Sequence, residues 1–178
     1  MDFSELIKEW ETFYLMVGTA AATLIGLLFV AVSINIDSFH RKASTDLHHF
    51  AALTFNCFFY TLLMAILFLV PRLSPLELGI PLLLLSLLGL ANMLIQKNRV
   101  QKIPSKRQHR PIANRFNLPI ACLAGLLIVS IGTMFQFTLS LYGMIPVIIF
   151  LLASASQNAW ALLVQVENKA RPHKQSTP

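Results

Sequence analysis

The sequence predicts an all-α, polytopic membrane protein with about five transmembrane helices, its N-terminus outside the cell and its C-terminus in the cytoplasm. Of the 178 residues, 56% are hydrophobic and only 12% are charged, whereas a soluble domain is about 45–50% apolar and roughly 25% charged. Five apolar stretches are long enough to cross a bilayer, and basic residues are concentrated between them. This composition indicates that lipid surrounds most of the chain.

The five apolar stretches form a predicted transmembrane domain over residues 13–166. A hydrocarbon core of about 30 Å requires roughly 20 apolar residues in a helix, and it does not tolerate unpaired backbone groups. We therefore expect helices at approximately 13–36, 50–70, 76–95, 118–137 and 141–166. Pro71 and Pro75 predict a tight turn after the second stretch. Ser140 and Gly143 predict another turn after the fourth.

The loop between the third and fourth stretches, residues 96–117, carries seven basic residues and no acid. Placing this basic loop in the cytoplasm follows the bias of Lys and Arg towards the cytoplasmic side. With five spans, twelve of the fourteen Lys and Arg residues then lie inside, and only Lys8 and Arg72 lie outside. We expect the loop to bind anionic lipid headgroups through Lys97, Arg99, Lys102, Lys106, Arg107, Arg110 and Arg115.

The two ends of the chain differ in charge. Residues 1–12 contain four acids and one lysine, with apolar residues at helical spacing. This pattern predicts a short amphipathic helix at the outer interface, anchored by Trp10 and Tyr14; the alternative is a polar extension of the first span. Residues 167–178 form a basic tail that we expect to be disordered.

The first stretch has the clearest pattern for helix contacts. Small residues recur at every fourth position, a series that permits close approach of two helices, and hydroxyl residues lie beside them. The small residues are Gly18, Ala22 and Gly26, and the hydroxyl residues are Thr19, Thr23 and Ser33. Two interpretations stay open. Either this is the central packing helix of the fold or its oligomer seam, or its small, hydroxyl-bearing face lines a water-filled pore.

Polar side chains within the spans are concentrated in the half that we place towards the cytoplasm. Polar groups in hydrocarbon seek one another, a bundle interior or a water cavity, so we expect these side chains to converge. The predicted inner polar cluster consists of Asn35, Asn56, Asn92, Ser154, Gln157 and Asn158. The cluster forms a network or vestibule open to the cytoplasm, or it only supplies hydrogen bonds that hold helices together.

No residue pattern in the sequence indicates catalysis. HExxH, GxSxG and phosphate-binding glycine motifs do not occur, and no span contains a pair of acids. We therefore expect no catalytic residue, no cofactor, no metal and no nucleic-acid partner, with a lipid-acting enzyme as the remaining alternative. His48 and His49, with His40 and Asp46, have the chemistry of metal ligands, but adjacent histidines on an interfacial loop are usually solvated.

The segment from Trp10 to Ile34, WETFYLMVGTAAATLIGLLFVAVSI, resembles the first span of a family of small bacterial inner-membrane proteins. These share the pattern WxxFYxxVGxAAATLxGLxFVAVS, and some are described as modulators of the FtsH protease. The protein best known by that description has more spans and a different pattern. The resemblance therefore implies a multi-pass protein of the bacterial inner membrane, and it supplies no catalytic or binding residue.

These observations predict a non-enzymatic, oligomeric membrane protein in contact with the bilayer. The first hypothesis is an ion-conducting pore or transport component, in which a homo-oligomer assembles around an axis lined by the first span. The alternative is a non-conducting regulatory or assembly subunit that contacts another membrane protein through its helices and its basic loop.

Overall fold

The computed structural model describes residues 8–34, 45–71, 74–101, 115–135 and 138–170, and these ranges contain α-helices and no strand. The apolar runs form helices because backbone N–H and C=O groups cannot stay unpaired in lipid. In chain order they are α1 (Glu11–Ile34), α2 (Thr45–Leu69), α3 (Pro75–Gln101), α4 (Asn117–Met134), α5 (Thr138–Tyr142) and α6 (Met144–Ala170).

Five helical segments within the described ranges are long and apolar enough to cross a membrane. They are α1, most of α2, α3, α4, and the segment Ser140–Val164 that joins the end of α5 to α6. The predicted fold class, an all-α polytopic membrane protein with five spanning helices, is confirmed. The chain is a multi-pass membrane protein.

The helix ends differ from the predicted spans. α2 begins at Thr45, five residues before the predicted start, and α3 continues to Gln101, six residues beyond the predicted end. Hydropathy marks only the part of a helix that lies in hydrocarbon, whereas backbone hydrogen bonds continue past it. α4 ends at Met134, and α6 continues through Ala170, into the predicted tail. Residues 1–7 and 171–178, which hold most of the predicted terminal segments, lie outside the described residues.

The helix at the centre of the bundle is α2, which packs against α1, α3 and α6. In addition, α3 packs against α4 and α4 packs against α6. The first helix, α1, packs extensively only on α2. Half of the α2 span is buried, but only 17% of the α1 span is. Within the described protomer, α1 therefore lies at the edge of the bundle, and both interpretations of its small residues stay predictions.

Large side chains fill the interior of the bundle. Phe58 of α2 and Leu126 of α4 are almost completely buried, as are Leu82 of α3 and Met144 of α6. Such interiors are packed at the density of organic crystals. Within the described part of the chain, the middle of the protomer is therefore filled by side chains.

Aromatic side chains pack the start of α1 against α2 and α5. The Tyr14 ring stacks on Phe68 of α2, with 4.2 Å between centroids and 9° between planes. Trp10 contacts Tyr142 of α5 edge-to-face at 5.3 Å. Aromatic pairs of this kind contribute roughly 0.5–1.5 kcal/mol beyond the area they bury, so this end of α1 is firmly attached.

The start of α3 is set by a capping box. The Ser74 backbone N–H donates to the Glu77 carboxylate at 2.8 Å, and the Glu77 N–H donates to the Ser74 hydroxyl at 3.3 Å. Each side chain thus satisfies a backbone donor that the helix itself leaves unpaired. Pro75 occupies the first helical position, where its missing N–H removes no hydrogen bond.

Replacing Ser74 by alanine is expected to destabilise the protein by about 1 kcal/mol, because the Glu77 N–H loses its acceptor. Thermal unfolding of the purified protein in mild detergent, followed by circular dichroism, measures the change. Ser156→Ala, at an exposed position inside α6, is the control, with an expected effect within about 0.5 kcal/mol. Equal effects for the two variants would contradict the capping role.

Candidate functional site

Two sides of α1 differ in their contacts. The buried residues Tyr14, Val17, Gly18 and Ala21 form one face, which packs on α2. On the exposed side lie Thr19, Ala22, Thr23, Gly26 and Ser33, which we name the outward face of α1, and the large side chains of Leu15 and Val30 are exposed among them. At 3.6 residues per turn the five positions fall within an arc of about 100°. The centre of this arc lies about 140° from the centre of the buried face, so most of the outward face is turned away from α2.

Two glycines of the predicted small-residue series have different surroundings. A Cβ atom added to Gly18 would lie 3.1 Å from the Cβ atom of Ala65, so α1 and α2 are in close contact at Gly18. A Cβ atom added to Gly26 would have no neighbouring atom within 4 Å. Gly18 thus serves packing inside the protomer, whereas Ala22 and Gly26 lie on the open side.

The Thr19 and Thr23 hydroxyl groups on the outward face donate to carbonyls of their own helix. Thr19 Oγ1 donates to the Leu15 carbonyl at 2.8 Å, and Thr23 Oγ1 donates to the Thr19 carbonyl at 2.8 Å. These bonds use the hydroxyl protons and leave the oxygen lone pairs available as acceptors. The outward face therefore presents acceptor oxygens among small side chains.

Part of the predicted inner polar cluster is brought together by Arg115, a residue of the basic loop. Arg115 Nη1 donates to Asn158 Oδ1 at 3.2 Å and to the Gln157 carbonyl at 3.4 Å. The guanidinium carbon lies 5.3 Å from the centroid of the Phe50 ring of α2, within the range of a cation–π contact. Arg115 therefore links the start of α4 to α2 and α6.

The hydrogen bonds continue from Asn158 into the bundle. Asn158 Nδ2 donates to Ser154 Oγ at 3.5 Å, one turn earlier on α6. Asn158 is 2% exposed and Ser154 is 3% exposed. We call Arg115, Asn158 and Ser154 the polar column. It starts at the loop end of the bundle, where α2 and α4 begin and α3 and α6 end.

A second set of polar side chains forms around Asn92 of α3. Asn92 Nδ2 donates to the Tyr60 hydroxyl of α2 at 3.2 Å, and Gln96 Nε2 donates to Asn92 Oδ1 at 3.1 Å. This set joins α3 to α2, whereas the polar column joins the start of α4 to α6. The structure thus divides the predicted cluster between two helix pairs. Asn56 is half-buried on α2, the Gln157 side chain is exposed, and Asn35 lies outside the described residues.

The Asn92–Tyr60 bond is expected to stabilise the contact of α3 with α2 by about 0.6–1.7 kcal/mol, the range for hydrogen bonds between membrane helices. Asn92→Leu, Tyr60→Phe and the double variant form a cycle that isolates this term. Unfolding free energies from denaturation in mixed detergent micelles provide the measurement. If the two single effects simply add, the hydrogen bond contributes nothing to stability.

Three of the predicted headgroup-binding residues are described. Lys97 Nζ donates to Asn117 Oδ1 at 2.7 Å, which ties the end of α3 to the start of α4. Arg99 is exposed, and Arg115 belongs to the polar column. The other four, Lys102, Lys106, Arg107 and Arg110, lie outside the described residues.

An apolar groove of about 280 Å³ separates α1 from α6 above Phe58 of α2. Leu24, Leu27 and Leu28 line its α1 side, and Trp160 lies on its α6 side. It forms because α1 and α6 both pack on α2 without packing extensively on each other.

No group of three or more His, Cys, Asp or Glu side chains suited to a metal occurs among the described residues. His48 is exposed and His49 is half-buried near the start of α2, whereas His40 lies outside the described ranges. No family model, curated protein or solved structure matches the chain.

Two features of the site were missed from the sequence. Arg115 was predicted only as a headgroup ligand, and its bond to Asn158, 43 residues away, has no local sequence signal. Tyr60 was not singled out, although a polar Asn92 in the middle of an apolar stretch requires a hydrogen-bond partner on a neighbouring helix. A search for phenol and amide pairs on adjacent spans would have found this contact.

Proposed function

We propose that the chain is a non-enzymatic protein of a bacterial inner membrane, that it assembles as a homo-oligomer through the outward face of α1, and that it acts as a pore or transport component. The loop end lies in the cytoplasm, with the N-terminus outside and the C-terminus inside. The positive-inside distribution of twelve of fourteen basic residues supports this orientation. At the loop end, basic side chains such as Arg99 contact anionic headgroups.

The observation that carries the proposal is the outward face of α1. Thr19, Ala22, Thr23 and Gly26 are exposed, opposite the face that packs on α2. A helix that meets only lipid gains nothing from small residues, whereas small residues let a second helix approach closely and gain van der Waals contact. A second copy of α1 is the partner that supplies a matching small-residue face.

Conduction would follow a path between protomers, because side chains such as Phe58 and Leu126 fill the described interior of each protomer. Around a shared axis, Thr19 and Thr23 would present acceptor oxygens, since their protons are already donated to backbone carbonyls. Oxygen acceptors replace part of the hydration shell of a cation. The proposal therefore favours cations over anions.

Reconstitution into liposomes tests this function. The protein is expected to give cation flux above that of empty vesicles, and Thr19→Val with Thr23→Val is expected to lower it, because valine keeps the shape and removes the acceptors. The matched control is Thr54→Val together with Thr61→Val, two buried threonines of α2. These are expected to leave the flux unchanged in protein that still folds. Absence of flux for several ions at several pH values would remove the pore hypothesis.

A second candidate is a non-conducting regulatory or assembly subunit. The apolar groove between α1 and α6 favours it, because Leu27 and Trp160 offer large exposed side chains there. Such a surface suits a helix of another membrane protein. This candidate predicts a stable hetero-complex after extraction in mild detergent. A homogeneous homo-oligomer without a second protein would count against it.

A further inference from the structure

The groove between α1 and α6 has two walls with the same helical spacing. The α1 wall begins at Leu24 and ends at Ala31, and the α6 wall begins at Ser156 and ends at Leu163. In each wall, four lining residues occupy a first position and the third, fourth and seventh positions after it. This spacing keeps the four on one side of a helix for two turns, about 10 Å. The groove therefore runs along both helices.

The groove lies in the half of the bundle nearest the loop end. Its walls fall in the second halves of the spans Glu11–Ile34 and Ser140–Val164. The α1 helix also runs towards the loop end, since Tyr14 near its start stacks on Phe68 near the end of α2. Half of a hydrocarbon core of about 30 Å is about 15 Å, so a groove of this length fits within one leaflet.

The lining of the groove suits hydrocarbon. Nine of its ten lining residues are apolar, and Ser156 is the exception. An apolar cavity stays dry, and a charged or strongly polar ligand would lose its hydration there without gaining hydrogen bonds. A cavity of about 150 Å³ takes one benzene molecule, so the 280 Å³ of this groove holds a hydrocarbon segment of roughly ten carbon atoms.

The width of the groove separates a single hydrocarbon chain from a helix. A volume of 280 Å³ over a length of about 10 Å gives a mean width of roughly 6 Å, whereas a helix with its side chains is about 10–12 Å across. A partner helix would rest on the rims, where Leu27 is 58% and Trp160 is 70% exposed. The space above Phe58 would then stay unfilled, and the residues around it would lose dispersion contacts.

We propose that this groove is a binding site for one acyl chain of a membrane phospholipid from the leaflet at the loop end. The chain lies along α1 and α6 above Phe58, so it contacts three helices at once. It gains packing contacts there that other lipid chains do not offer. Because α1 packs extensively only on α2, the bound chain also joins α1 to α6. The site does not depend on assembly through α1 or on conduction.

Trp160 reports the bound chain directly. In a Trp10→Phe background Trp160 is the only tryptophan, and bromine atoms on an acyl chain quench tryptophan fluorescence on contact. The protein is purified in digitonin, a detergent without an alkyl chain, and titrated with phosphatidylcholine brominated in the middle of its acyl chains. Quenching is expected to saturate at about one lipid per protomer. Native mass spectrometry of the same sample should show that one lipid as added mass.

Ala159→Leu fills part of the groove from the α6 wall. It is expected to weaken lipid binding at least about tenfold, the effect of overpacking one filled space. The matched control is Ala124→Leu, at an exposed alanine of α4 that does not line the groove, and it should keep the affinity. Should Ala159→Leu fail to fold, Leu27→Phe enlarges an exposed rim residue and is expected to weaken binding in the same direction.

Three results would overturn the proposal. Quenching that rises in proportion to the brominated lipid, equally in Ala159→Leu and Ala124→Leu, would show that Trp160 meets only bulk lipid. A bound lipid whose affinity is unchanged in Ala159→Leu and in Leu27→Phe would lie elsewhere on the protein. A dimer without bound lipid, lost on Ala159→Leu, would identify a second copy of the chain as the occupant. None of these results bears on ion flux.

Discussion

Replacing Gly18 by leucine is expected to detach α1 from α2 and to lower the unfolding free energy by about 1–3 kcal/mol or more, the cost of overpacking a filled interface. The Cβ atom alone would lie 3.1 Å from the Ala65 Cβ atom, so the remaining atoms of leucine have no space. Because α1 packs extensively only on α2, no other contact compensates. Thermal unfolding in mild detergent, followed by circular dichroism, measures the loss.

The matched control for that variant is Gly26→Leu. Both changes replace a glycine of the same helix by leucine, so the gain in helix propensity is similar. Gly26 has open space where Gly18 has Ala65. A Gly18→Leu protein as stable as the Gly26→Leu protein would show that α1 does not pack on α2 through this face.

The Gly26→Leu variant is expected to weaken the association of protomers while leaving the folding of each protomer intact. If the outward face of α1 is an oligomer seam, leucine at position 26 separates the two backbones and removes the close contact on which association depends. An overpacking cost of about 1–3 kcal/mol corresponds to roughly tenfold to hundredfold weaker association. Native mass spectrometry of detergent-solubilised protein measures the oligomer at a series of concentrations.

The unfolding temperature of the Gly26→Leu protomer should be at or slightly above that of the unchanged protein, because leucine gains helix propensity and the added Cβ meets no neighbouring helix or side chain within 4 Å. A variant that keeps both the wild-type oligomer and the wild-type stability would exclude the outward face as the seam. Ala22→Leu, on the same face, is expected to repeat the result.

The number of membrane-spanning helices could be predicted from the sequence because few backbone conformations can cross the hydrocarbon core of a bilayer. A continuous apolar run of about 20 residues, without the alternation of a barrel strand, crosses a bilayer as a helix, and its length is set by the bilayer. The helix ends were less predictable, since the start of α2 at Thr45 and the end of α3 at Gln101 lie in polar sequence. Gly143, predicted as a turn, does separate α5 from α6, and its N–H donates to the Ser140 carbonyl.

The candidate site was less predictable than the fold, because it depends on which helices are neighbours. Gly18, Ala22 and Gly26 share a spacing, but only the position of α2 shows that Gly18 packs inside and the others face outward. Likewise, the convergence of Asn158 with Ser154 follows from one helical turn, whereas the link to Arg115 requires the packing of α4 against α6. Helical spacing predicts which residues share a face of a helix, but only the packing of the helices shows which neighbour that face contacts.

Disulfide cross-linking in native membranes tests most directly whether the outward face of α1 meets a second copy. With Cys57 and Cys122 replaced by alanine, a single cysteine is placed at Gly26, or at Leu88, an exposed position of α3. After mild oxidation, Gly26→Cys should run as a cross-linked dimer on a non-reducing gel and Leu88→Cys as a monomer. A monomeric Gly26→Cys, or equal cross-linking at both positions, would contradict assembly through α1.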